Sequence, residues 1–221
     1  MFRDMVKMKK LFVLFATLMV IGMIQEADAS LINPGFETGD TTGWTLTIPS
    51  GGSALAVPSH ISDLYSIYGP AGSYLLELKT DGPDSYTTAS QSVTLNAGDT
   101  LEGWAAFDAW DYLPWNDNAS VQIFDAIGGL IAQPWYSDVS IVGDYGDGPW
   151  TYWNWTASVG GTYTLTYRVA NAGDDAVDSY ALFDDGPGSF TPIPEPTTII
   201  LMSFGLIGLV GIGVRSRRKR K

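Results

Sequence analysis

Two kinds of side chain in this sequence could do chemistry, carboxylates and aromatic rings, and they crowd together. Asp108, Asp111, Asn116 and Asp117 surround Trp110, Tyr112 and Trp115. Oxygen ligands of that kind suit a hard cation such as calcium, which takes six to eight of them. The spacing is not that of an EF-hand loop, so the cluster makes a weak metal site and reads first as solvated surface. The rings are the second candidate. Seven of the eight tryptophans fall between Trp104 and Trp155. Sugar rings present flat C–H faces that pack on aromatic rings, while carboxylates and amides take the hydroxyls. The candidate glycan contacts are Trp110, Tyr112, Trp115, Trp150, Trp153 and Trp155. In "WTYWNWT" (Trp150 to Thr156), Trp153 and Trp155 fall on one side of an extended chain, with Trp150 and Tyr152 on the other. Only one side can face a core. The other is either a platform or is covered by a loop.

Catalysis finds little support. There is no cysteine, which excludes Cys–His chemistry, and the sole histidine, His60, has no nucleophile motif near it. It reads as a surface residue in a loop. Paired carboxylates for glycoside hydrolysis cannot be picked out among so many acids. The expectation is therefore a protein that is not an enzyme. Between Ser30 and Pro192 only Lys79 and Arg168 oppose twenty carboxylates. A region so acidic is soluble and repels nucleic acid and anionic lipid.

The elements that must position these residues are strands. In "TYTLTYRVA" (Thr162 to Ala170), Tyr163, Leu165, Tyr167 and Val169 alternate with Thr162, Thr164, Thr166 and Arg168, the pattern of a strand with one wet face. Ser73–Lys79, Ser90–Leu95, Leu101–Trp110, Ala119–Ala126, Trp150–Thr156 and Ser179–Asp185 are likewise rich in β-branched and aromatic residues, with Gly- and Asn-rich turns between them. No long stretch between residues 30 and 190 reads as a helix. The fold expected is all-β, an antiparallel sandwich over residues 30–190, large enough to close one core without disulfides.

The two ends differ from the middle. Arg3, Lys7, Lys9 and Lys10 precede the apolar run Leu11 to Ile24, then Ala27-Asp28-Ala29, the layout of a secretory signal peptide with cleavage after Ala29. Residues 191–196 form a linker, and residues 197–214 carry no charge. As a helix those eighteen would span about 27 Å, enough for one transmembrane crossing. The cations of residues 215–221 follow directly and hold that side in the cytoplasm. The order Pro194-Glu195-Pro196, apolar run, Arg/Lys cluster resembles the PEP-CTERM sorting signal of Gram-negative bacteria. The resemblance implies export through the inner membrane, processing by an exosortase, a membrane-embedded transpeptidase, and a destination at the cell surface or in a matrix rich in exopolysaccharide.

"LINPGFETGDTTGW" (Leu31 to Trp44) and "SYALFDD" (Ser179 to Asp185) resemble the opening and closing strands of jelly-roll domains of the galactose-binding-like and carbohydrate-binding-module class. Asn33, Pro34, Gly35, Phe36, Glu37 and Trp44 carry the likeness. It implies a jelly roll whose first and last strands share one sheet. It also implies a structural calcium held by Glu37 with Asp184 or Asp185. The function expected is that of a non-catalytic structural or adhesive component of an extracellular polysaccharide or biofilm layer, the alternative being a calcium-stabilised glycan-binding module.

Overall fold

The computed structural model describes residues 30–62, 65–80, 82–83 and 85–186; the signal segment, the linker with its Pro-Glu-Pro, the candidate span 197–214 and the basic tail lie outside them. Among the described residues no helix is long and apolar enough to cross a membrane. The strands in chain order are β1 (Thr45–Thr47), β2 (Ser53–Val57), β3 (His60–Ile61), β4 (Ser66–Ile67), β5 (Leu75–Lys79), β6 (Tyr86–Leu95), β7 (Thr100–Asp108), β8 (Asn118–Asp125), β9 (Leu130–Asp138), β10 (Thr151–Thr156), β11 (Gly161–Ala170) and β12 (Tyr180–Asp185), with one short helix, α1 (Val139–Val142). They form an antiparallel sandwich. One sheet runs β1-β6-β11-β8-β9, the other β10-β7-β12-β5-β2, and β3-β4 is a separate hairpin.

Alternation explains the first sheet. Along β11, Tyr163, Leu165, Tyr167 and Val169 point into the core while the threonines between them stay wetter. Its partners β6 and β8 alternate in step, because Leu165 faces Gln91 and Ile123, and Tyr167 faces Ala89 and Val121. A register slip by one residue would turn all of these outward, so the pattern dictates the pairing. The centre of the core is aromatic. Tyr167 stacks on Phe183 at 4.3 Å and on Trp44 at 5.1 Å between ring centroids.

The second sheet is buried on both faces. Its inner positions Leu101, Ala105 and Phe107 join the main core, whereas Ala106, Leu75 and Leu182 on the outer face form a satellite cluster with Val57, Ile67 and Trp150. Ile67 belongs to the β3–β4 hairpin, which lies over that face. Gly103 sits where Trp153 crosses β7; a Cβ there would stand 2.9 Å from the indole. A side chain at 103 would push that ring out of the core.

The opening segment departs from the jelly-roll expectation. Leu31 to Trp44 is a series of turns, with Asn33 and Phe36 at positive φ, and the first strand starts only at Thr45. Leu31, Phe36 and Trp44 are buried even so and join the main core. The first strand pairs with β6 in one sheet and the last, β12, lies in the other. First and last strands thus do not share a sheet. β9 is also absent from the expected strands, because Pro134 interrupts its pattern. As an edge strand it tolerates the missing donor.

Candidate functional site

The residues singled out in the sequence separate into three places. At one end of the sandwich, β7 delivers the loop that follows Asp108, β8 begins at Asn118, and β12 begins at Tyr180. Here Tyr112 packs edge-on against Trp115 at 4.9 Å and beside Tyr145 at 5.6 Å. Tyr112 is 37% and Tyr145 56% exposed, and Trp115 is half-buried beneath them. Leu113 N–H donates to Asp144 Oδ1 and Tyr145 N–H to the Asp111 carbonyl, which ties the two loops together. Tyr145 was missed from sequence. Its signal was a lone ring in the turn-rich "GDYGDG", held at φ 54°.

The other predicted rings do not join this rim. Trp153 is 2% exposed within the main core, and Trp155 packs against that core and edge-on to Tyr163. Trp150 lies against the satellite cluster, its Nε1 donating to the Tyr68 carbonyl. Trp110 turns its Nε1 to Asp108 Oδ2 at 2.8 Å. Trp153, filling the core, offers no open face to a sugar, whereas Trp110, Trp150 and Trp155 are each half-buried. Tyr152, on the outward side of β10, remains partly exposed against Trp104, with its hydroxyl donating to Glu102.

His60 is the clearest departure from the sequence reading. It is 2% exposed, with Nδ1 2.7 Å from Glu77 and Nε2 2.7 Å from Asp108. Burial disfavours its charge, but the hydrogen bonds and negative charge of Asp108 and Glu77 prevail and hold the imidazolium up to about 9. Asp147 is pushed up to about 6, first by burial and then by Asp108 beside it. The histidine clamps the β3–β4 hairpin to the outer face of the second sheet. Nothing local in the sequence announced this, because its partners lie 17 and 48 residues away.

The acidic cluster divides as well. Asp108 belongs to the His60 network, and Asn116 donates to Asp138, which caps α1. Asp117 is fully buried at the rim end of the core, accepting from Ala172 N–H at 2.9 Å and Ser179 Oγ at 2.6 Å. A cleft of about 400 Å³ lies between β9 and β10, and Asp147 is its one lining carboxylate.

At the opposite end Glu37 and Asp184 converge on the loop of residues 69–74. Glu37 accepts from Ser73 and Tyr74 N–H, and Asp184 from Ala71 N–H and Asp185 N–H. Asp184 is fully buried, and burial pushes its carboxyl up to about 7 despite those two amides. Asp185 packs its carboxylate on Gly35, where a Cβ would stand 2.8 Å away. Among the described residues no three or more His, Asp or Glu side chains are grouped to hold a metal. A calcium ion here would use the Glu37 and Asp184 carboxylates and complete its shell from carbonyls and water. The fit has some local support. Gly69 and Gly72 leave room that a Cβ would fill against these two carboxylates, and the buried Asp184 charge has no ion-pair partner among the described residues.

Residues 192–219 match the PEP-CTERM protein-sorting motif. The chain carries a PEP-CTERM sorting motif. No curated protein matches the chain. Among solved structures it is similar to TmCBM61 in complex with β-1,4-galactotriose, at 19% identity and TM-score 0.45 over 71% of this chain and 94% of that one. It is similar to the CBM22-1 xylan-binding domain of Xyn10C from Paenibacillus barcinonensis, at 17% identity and TM-score 0.40 over 68% and 87%. It is also similar to the K3 adhesin domain of Lys-gingipain from Porphyromonas gingivalis, at 11% identity and TM-score 0.42 over 71% and 97%. At such identities the likeness concerns the sandwich and leaves open what this chain binds.

Proposed function

We propose that this chain is an exported, surface-sorted protein whose sandwich is a non-catalytic adhesive module of an extracellular polysaccharide layer, with glycan contact at the aromatic rim. The observation that carries the reading is the rim's position. Strand β12 runs from Tyr180 at the rim to Asp185, after which the chain continues to the sorting motif. Six residues of strand cover about 20 Å. The exposed rings of Tyr112 and Tyr145 therefore stand at the end of the domain away from the point where the chain leaves for the membrane. An adhesive surface on a tethered module needs that polarity.

The finer parts of the proposal follow from the motif and from the opening segment. An exosortase-type transpeptidase acts near Pro194-Glu195-Pro196, with residues 197–214 as the transient tail anchor. Calcium at Glu37 and Asp184 stiffens the membrane-proximal end of a jelly-roll-like sandwich. The test is retention of the protein on columns of extracellular polysaccharide. Tyr112→Ala with Tyr145→Ala is expected to lower retention at least tenfold while shifting the melting temperature by no more than a few degrees, since both rings are exposed. Unchanged retention overturns the rim reading. No retention of the wild type favours a purely structural matrix protein.

A further inference from the structure

The cations of the sandwich are as informative as its acids. Lys79 is paired, with Nζ 2.6 Å from Asp178. Arg168 is not: among the described residues no carboxylate lies within ion-pair distance of it. In a domain of twenty carboxylates this isolation needs a reason. The guanidinium carbon sits 3.5 Å above the Tyr86 ring centroid, Nη1 donates to Gln122 at 2.9 Å, and Nε is buried without a partner. One of five N–H donors is thus used, on a neutral amide.

The surface around it explains the isolation. Arg168 lies on the outward side of β11, between Thr88 on β6 and Ser120 on β8, with Tyr136 of β9 opposite Ser120. The outward positions of β1, β6, β11 and β8 carry hydroxyls, amides and rings but no carboxylate. The outward acid on β9, Asp138, is 6% exposed and already accepts from Asn116, Tyr136, Ser140 and Ile141. Among the described residues the acids are segregated away from one face, and a single guanidinium without an ion pair remains on it.

We propose that this face is a binding site for an acidic sugar, a uronic-acid residue of a glycan, with Arg168 as the group that selects the carboxylate. A planar guanidinium matches a carboxylate with two parallel N–H···O bonds, which an ammonium cannot reproduce. The exposed ring of Tyr136 offers a face for the pyranose, and Thr88, half-buried on β6, sets a hydroxyl beside the guanidinium. The domain's other negative charge opposes a polyanion at low salt. At about 0.15 M ionic strength the Debye length is about 8 Å, so exposed acids farther than that through solvent are largely screened at this face. The site uses none of the rim rings and does not rest on the rim reading.

The experiment is titration of the full-length protein with trigalacturonate and with neutral maltotriose at 0.15 M salt. The wild type is expected to bind the acid at least tenfold tighter than the neutral sugar. Arg168→Met, which keeps the aliphatic stem, loses that preference, and Arg168→Lys, which keeps charge without the fork, retains only part of it. Equal binding of the two sugars by the wild type, or an unaltered preference in a folded Arg168→Met or Arg168→Lys protein, overturns the proposal. Displacement of trigalacturonate by equimolar inorganic phosphate overturns the assignment to a sugar.

Discussion

Asp117 allows a sharp test of how this acidic domain tolerates its own charge. The carboxylate is fully buried, with two donors and, among the described residues, no cation, and burial pushes it up to about 6 from an ordinary value of 3.8. Ser179 and Ala172 lower it through hydrogen bonds, and the nearby charges of Asp111 and Asp174 add to the rise. About two units correspond to about 3 kcal/mol between the two protonation states. The sign follows from linkage. Below about pH 4 the group is protonated folded and unfolded; between 4 and 6 only the folded form keeps its proton, so this stabilisation is lost as pH rises through 6. Asp117→Asn mimics the neutral acid: its oxygen accepts from Ala172 and its amide donates to Ser179, whose hydroxyl turns from donor to acceptor. Allowing about 1 kcal/mol for the altered Ser179 bond, the variant is expected to be more stable at pH 8 by about 2 kcal/mol. That is about 4–8 °C in Tm for a domain of this size. The advantage should vanish near pH 4. Thermal melts of both proteins in chelator across pH 4–8 decide it. A variant less stable than wild type at pH 8 would refute the reasoning, since it would mean that the ionised carboxylate is compensated by something other than the two donors.

Other outcomes follow from the same geometry. His60→Gln should cost about 3 kcal/mol in denaturant unfolding at pH 6, because the clamp's contribution is complete below 6.5 and is lost as pH rises through about 9; an equal loss at pH 10 would count against a charged clamp. Gly72→Ala combines a left-handed backbone, φ 64°, with overlap on the Glu37 carboxylate, and should destabilise by about 2–4 kcal/mol in chelator melts, against less than 1 for an unstrained surface change. Calcium should raise the melting temperature of the wild type and not of Glu37→Gln; no response in the wild type ends the calcium proposal. The mass of the native surface protein should lack everything beyond the Pro-Glu-Pro region, and an intact basic tail would leave only a simple anchor.

How far the fold could be read depended on whether the signal was local. Strands such as β11 and β6 have one wet face, so burial writes itself into alternation and the register follows. β7 has both faces covered, and its Gly103, Ala105 and Ala106 reflect crossing neighbours rather than a period. The opening "NPGFE" was legible as a motif but not as turns, because its positive-φ residues become tolerable only once Phe36 packs on Trp44 and Trp44 on Tyr167.

The candidate sites divide along the same line. Tyr112 and Trp115 were legible because neighbours in the chain stay neighbours in a loop, whereas Tyr145 joins them only because the chain returns about thirty residues later. Sequence alone determined that the chain carries the sorting motif at residues 192–219, since Pro-Glu-Pro, an uncharged run and a cation cluster are legible in linear order. It also determined that the middle is an acidic β-domain without thiols. Only the tertiary structure decided which tryptophans are core, that His60 is a clamp, and that Arg168 stands alone. Each of those depends on which strands lie side by side, and pairing across tens of residues is a property of the packed sheets.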